Sequence, residues 1–188
     1  ISACLGEIFG YIQIDKGALF HNITPSKRLS NEQSYASSTT ELMFHTEQHF
    51  HPYSPDFLLL YCLRSNPHAK TFFASVNDIL EVLDKKYIDT LFSSSFRTGI
   101  DHVFGNINSK KGNGPLLPIL YQESANLFFR YDEDLIEGNN SEAKEALFAL
   151  KESLMSIKKE ICLEEGDLLI LDNKKVVHGR KEFTPNYD

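Results

Sequence analysis

Glu41-Leu42-Met43-Phe44-His45-Thr46-Glu47 and Asp172-Asn173-Lys174-Lys175-Val176-Val177-His178-Gly179-Arg180 are the stretches that decide the fold. On an extended strand, residues two apart project from the same face. His45 and Glu47 therefore present an imidazole and a carboxylate side by side. Val176-Val177-His178 reads as a second strand, whose histidine can complete a triangle with that pair. Two imidazoles and one carboxylate on one face of a metal leave its other positions open, the donor set of non-haem Fe(II) sites.

Chance has to be weighed against this. The chain has seven histidines. His21, His49, His51, His68, His102 and His178 lack an acidic residue two places on, which leaves His45 alone with that spacing. A single His-x-Glu arises readily at random and is equally compatible with a structural pair, so the surroundings must decide.

At 188 residues, 41% hydrophobic and 24% charged, the chain has the size and composition of one globular domain with a substantial core. The net charge of −7 argues against nucleic acid as a partner, because phosphate binding needs clustered Lys and Arg. No apolar run reaches the roughly 18 to 20 residues of a membrane span. Cys4, Cys62 and Cys162 are odd in number and widely spaced, which suggests neither a disulfide framework nor a zinc site. A cytoplasmic setting fits these features. Ile1 in place of a Met and an end inside a polar segment at Asp188 give the expectation of a single domain, 1–188, incomplete at both ends.

Along the chain, residues 8–14 are β-branched and aromatic and predict a strand. The Ser-rich stretch 25–40 predicts a long functional loop. Phe57 to Leu63 and Leu168 to Leu171 read as buried strands. Thr71 to Val76 reads as a strand followed by a helix over 77–83. Ala143, Ala146, Leu147, Leu150, Leu154 and Ile157 recur at helical spacing within 141–160 and predict a core-facing stripe, capped by Asn139 or Asn140. Asp172-Asn173 predicts an Asx-type turn that aims the next strand. Many strands and few helices make the fold mainly β, a barrel or sandwich with flanking helices.

With these segments in place, the chain resembles the clavaminate synthase-like branch of the taurine-dioxygenase superfamily. The likeness rests on three stretches: Ser37-Ser38 through Glu41-Leu42-Met43-Phe44-His45-Thr46-Glu47-Gln48-His49-Phe50-His51-Pro52-Tyr53 and on to Arg64, Thr71 in the following strand, and Gly166-Asp167-Leu168-Leu169-Ile170-Leu171-Asp172-Asn173 ending in His178-Gly179-Arg180. The resemblance implies a double-stranded β-helix (jelly roll) and an Fe(II)- and 2-oxoglutarate-dependent dioxygenase. It implies His45, Glu47 and His178 as iron ligands and Thr71 as a residue holding 2-oxoglutarate. Glutamate rather than aspartate is similar to the amino-acid hydroxylases of this branch, and a carboxylate there argues against halogenation. The family's arginine for the distal carboxylate of 2-oxoglutarate falls beyond Asp188. Arg180 is too close to His178 for that role and is expected to form a structural salt bridge.

The partners implied are dioxygen and a free amino acid, arginine or lysine first. Asp132 and Asp134 alternate and could both face a cationic side chain, or could form a solvated acidic turn. Gln33 in the Ser-rich loop and Glu47 itself are candidates for the substrate's amino-acid end. His49 and His51 are expected to pack or hydrogen-bond beneath the iron strand rather than bind a second metal, while His21 and His102 carry no signal. Alternatives within the same fold are hydroxylation of asparagine, desaturation or cyclisation of a biosynthetic intermediate, and a non-catalytic jelly-roll binding protein.

Overall fold

Leu42–His45 (β1), Phe57–Tyr61 (β2) and Thr71–Ser75 (β3) supply the first strands of a computed structural model that describes residues 1–32, 34–99, 112 and 114–187. Short helix α1 (Ser2–Leu5) precedes them, and α2 (Val76–Val82) and α3 (Lys85–Leu91) follow. Then come β4 (Phe96–Arg97), β5 (Leu116–Leu117), β6 (Leu120–Glu123), β7 (Asn126–Phe129) and β8 (Glu137–Gly138). Helix α4 (Ser141–Ile157) leads into β9 (Lys159–Ile161), β10 (Leu168–Asp172) and β11 (Val176–Arg180). The architecture is mainly sheet with flanking helices.

The sheet that matters for function has the order β1-β11-β3-β9, antiparallel throughout. Its two faces follow from the period-2 alternation. Val177 opposite Ala74 and Gly179 opposite Phe72 share the inner face, where Val177, Ala74 and Phe72 are buried. Phe44 joins them with its ring edge-on to Phe72 at 4.8 Å. His178 opposite Phe73 and Arg180 opposite Thr71 share the outer face. Gly179 is needed for close approach: a Cβ there would lie 2.4 Å from the Leu42 carbonyl oxygen and from the Phe72 ring.

Helix α4 closes the inner side. Ala143, Ala146, Leu150 and Leu154 are fully buried, with Leu147 and Ile157 packed against the same core, so the helical stripe seen in the sequence is core. Asn140 caps its start, accepting a hydrogen bond from the Ala143 amide at 2.8 Å. The helix stops earlier than its periodicity suggests because Lys158 turns extended and residues 159–161 pair with β3 instead. Strand pairing there outweighs a polar last turn.

Three expectations need correction. Residues 8–14 form no strand: no partner ladder forms there, Ile8, Phe9 and Ile12 are exposed, and the chain turns into a 3-10 segment at Asp15–Gly17 with Asp15 and Lys16 at positive φ. Apolar β-formers without a neighbouring strand cannot satisfy their backbone as a strand. Of the stretches 57–63 and 168–171, Phe57–Tyr61 and Leu168–Asp172 are strands, but only Leu171 in them is buried. They pair with each other as a two-stranded ribbon, which leaves Tyr61 60% and Ile170 40% exposed.

Asn140→Ala removes the cap of α4 and is expected to lower stability by about 1 kcal/mol. Leu154→Ala, in the fully buried stripe, should cost about 2–5 kcal/mol. Urea midpoints at unchanged m-value measure both; a cost of Leu154→Ala below that of the cap variant would contradict the packing described.

Candidate metal centre

His45 is the last residue of β1, and the ladder sets it directly opposite His178 of β11. Between Leu42 and His45 the register slips by one residue. This bulge re-aims the end of the strand. The two imidazole rings lie with centroids 4.4 Å apart at 48°. On its other side β1 is held by the segment before β8: the Glu133 amide donates to the Phe44 carbonyl at 3.0 Å, and His45 bridges to Asp132. Thr46 is locked to Tyr131, its amide donating to the Tyr131 carbonyl at 2.8 Å and its hydroxyl accepting from the Tyr131 amide at 3.2 Å.

Glu47 departs from the sequence expectation in one respect. The strand ends at His45, and Glu47 opens a turn whose next residue, Gln48, has φ +52°. Strand alternation therefore does not by itself place the carboxylate beside the imidazole. Asn173 supplies the constraint: its side-chain oxygen accepts from the Glu47 amide at 2.7 Å and its side-chain nitrogen donates to the Glu47 carbonyl at 3.0 Å. The expected turn at Asp172-Asn173 is present, with the Lys175 amide donating to the Asp172 carbonyl at 3.0 Å, but it is the Asp172 side chain that caps it, accepting from the Lys174 amide at 3.1 Å.

The result is a cluster. One donor atom from each of His45, Glu47 and His178 lies within 4.8 Å of the other two, and His45 Nε2 is 3.9 Å from Glu47 Oε2. His45 Nδ1 is 2.8 Å from the Met43 carbonyl oxygen, which fixes the proton on that nitrogen and leaves the Nε2 lone pair directed at the cluster. His178 is buried, and burial with the neighbouring His45 holds its pKa well below the ordinary histidine value. The ring is then neutral, the form that ligates a metal. Its Nδ1 is buried without a hydrogen-bond partner among the described residues. Two imidazoles, one of them with an orphaned ring nitrogen, and one carboxylate suit a transition-metal ion with open positions.

Surrounding groups complete the picture. His49 is buried with Nε2 against the Thr98 hydroxyl, and burial, then the charges of His45 and Arg130, lower its pKa to about 3. His51 accepts from the Tyr53 amide at 3.1 Å and carries the Tyr11 ring edge-on at 4.8 Å. Tyr11 donates to the Tyr53 carbonyl at 2.6 Å; burial and then the charge of Glu47 push its pKa up to about 12. His21 pairs with the exposed Asp15. Tyr11 and Thr46 were not singled out by sequence, and Asn173 was read only as a turn residue, because nothing in their local pattern distinguishes them from ordinary strand, loop and turn residues.

The remaining candidates are placed unequally. Thr71 is buried at the start of β3, opposite Arg180 and on the face of His178. Asp132 lies beside His45; burial raises its pKa, against the lowering influence of His45, and its Oδ1 accepts from the amides of Asp134 and Leu135 at 2.9 and 3.0 Å. Asp134 is exposed and lines a hollow of about 270 Å³ with Met43, Glu133 and Lys151. Gln33 and His102 fall outside the described residues. Arg180 forms no salt bridge among the described residues. Its guanidinium donates instead to the Tyr35 carbonyl at 3.2 Å, the Ser37 hydroxyl at 2.9 Å and the Thr40 carbonyl at 3.4 Å, because the Ser-rich segment folds over it and offers neutral oxygens.

The fold is mainly sheet and brings a His-x-Glu pair beside a cross-strand histidine in a group that could hold a metal ion. Residues 4–188 match the taurine catabolism dioxygenase TauD, TfdA family, and the chain belongs to it. It is 31% identical over 192 residues to the L-lysine 3-hydroxylase of Catenulispora acidiphila, covering 100% of this chain and 53% of that protein. Asparagine oxygenase in complex with Fe(II), 2S,3S-3-hydroxyasparagine and succinate superposes with a TM-score of 0.89 at 33% identity, over 100% of this chain and 58% of that one. The non-haem iron oxygenase OrfP in complex with Fe and alpha-ketoglutaric acid gives 0.87 at 33% identity, over 100% and 58%. The chain thus spans little more than half the length of these relatives. No helix among the described residues is long and apolar enough to cross a membrane.

Thr46→Val keeps the side-chain shape but leaves the buried Tyr131 amide without its acceptor. A loss of about 1–3 kcal/mol is expected, read as a lowered urea midpoint. An unchanged midpoint would remove the Thr46–Tyr131 lock as a determinant of this strand end.

Proposed function

We propose that this chain carries the metal centre of an Fe(II)/2-oxoglutarate-dependent dioxygenase that hydroxylates an unactivated C–H bond of a free amino acid. The observation that carries the proposal is the convergence of His45, Glu47 and His178 within 4.8 Å, with His45 oriented by Met43. Family membership and the iron, alpha-ketoglutaric acid and succinate in the related structures support it. In this reading the strands belong to a double-stranded β-helix, with the metal at the end of β1 and beside the middle of β11.

His45 and His178 serve as neutral nitrogen ligands and Glu47 as the anionic one. Bound iron with 2-oxoglutarate supplies the oxidising power for C–H cleavage; the protein supplies position and exclusion of competing reactions. Thr71, on the same sheet face, holds 2-oxoglutarate. Glu47 takes the ligand position a halogenase leaves vacant for chloride, so hydroxylation rather than halogenation is the outcome. Its half-exposed carboxylate also faces the side from which an amino group could approach.

Lysine or arginine is the favoured substrate class, with Asp132 and Asp134 turned toward the cation once it binds, and Gln33 as a further contact. The relative acting on lysine supports this. Asparagine is the second reading, favoured by the structural match to asparagine oxygenase and by the engagement of Asp132 with its own backbone.

Supplied with Fe(II), 2-oxoglutarate and a panel of amino acids, the intact protein should form succinate in step with a product one oxygen heavier. Glu47→Ala should reduce this to background. Succinate formation coupled to hydroxylation that survives Glu47→Ala would reject the assignment, and a product lacking two hydrogens would redirect it to desaturation.

A further inference from the structure

The Glu47 carboxylate stands outside the sheet that positions both histidines, so something other than strand pairing must fix it. Asn173 is 2% exposed, in the turn between β10 and β11, and its amide is fully used. It accepts from the Glu47 amide at 2.7 Å, donates to the Glu47 carbonyl at 3.0 Å, and donates again to the Pro55 carbonyl at 2.9 Å. One side-chain amide thus pairs with both polar groups of a single residue, as a neighbouring strand would. The Asn173 amide is itself tied to the Asp56 carbonyl at 2.9 Å. From Asn173 the chain runs straight into β11 and His178.

We propose that Asn173 is a positioning residue for the metal centre: it replaces the missing ladder at Glu47 and sets the carboxylate ligand from the turn that leads into the strand carrying the histidine ligand. The inference rests on Glu47 and His178 binding metal together. A carboxylate ligand held by a mobile turn would sample many positions, and preorganisation of ligands by their supporting hydrogen bonds commonly accounts for about 10- to 100-fold in metal affinity. Aspartate at this position has nearly the same shape and can still accept from the Glu47 amide. It cannot donate, and it would set a negative charge against the carbonyls of Glu47 and Pro55.

The test is anaerobic titration of the intact protein with Co(II), following the ligand-field absorption, for wild type, Asn173→Asp, Asn173→Ala and Leu154→Ala. The last is a core variant remote from the centre, and it serves as a stability control at a temperature where all variants are folded by circular dichroism. Asn173→Asp and Asn173→Ala should weaken Co(II) binding about 10-fold or more and alter the shape of the absorption band, while Leu154→Ala leaves both unchanged. Wild-type affinity and band shape in whichever Asn173 variant folds would overturn the proposal, as would the same loss in Leu154→Ala. Failure of the wild type to bind Co(II) would instead sink the metal-centre reading on which it stands.

Discussion

The pairing of β1 with β11 is the constraint on which the rest of the molecule depends. These segments are distant in the chain, and neither histidine has any reason to approach the other until the ladder forms. Once it does, His45 and His178 are opposite each other by register, and the slip between Leu42 and His45 decides that they are. Inner-face burial of Phe44, Phe72, Ala74 and Val177 penalises any one-residue slide, because each would move to the outer face. The hydrophobic core and the metal geometry are in this sense the same specification.

The electrostatic state of the centre follows from where that ladder sits. An imidazole deep in the protein loses its charged form first, which is the physical cause of the low pKa of both His178 and His49. Neutral nitrogen is what a divalent metal requires, so burial prepares His178 for ligation. Glu47 is arranged differently: its side chain is 34% exposed, and it contributes, after burial, to the raised pKa of Tyr11. Two histidines fixed in the sheet and one carboxylate on a turn make an asymmetric cluster, buried at His178 and more open at Glu47.

Much of this was legible in the sequence, for reasons that can be stated residue by residue. The stripe from Ala143 to Ile157 encodes one buried helical face and behaves as such. The apolar residues before His45 and the valines before His178 encode strands, and both histidines lie on them. Long-range partnership was not legible. Residues 8–14 have strand composition without a strand to pair with, and Phe57 to Tyr61 has a core strand's composition on a two-stranded ribbon. Arg180 invited a carboxylate partner and found the backbone of the Ser-rich segment instead. Composition reports what a segment can do; its neighbours decide whether it does.

Asn173 shows why that distinction matters for function. In sequence it is one of the commonest turn residues, and a turn is where it lies. Its side chain nevertheless reaches across the fold to Glu47, and the turn's own cap is left to Asp172. A buried amide that satisfies three backbone groups is costly to disturb, so the β10–β11 turn cannot shift without moving either the carboxylate or the histidine. The ligand triangle is therefore not three independent side chains that happen to meet. It is one cross-strand pair plus one turn, and both are referred to the short connection from β10 into β11.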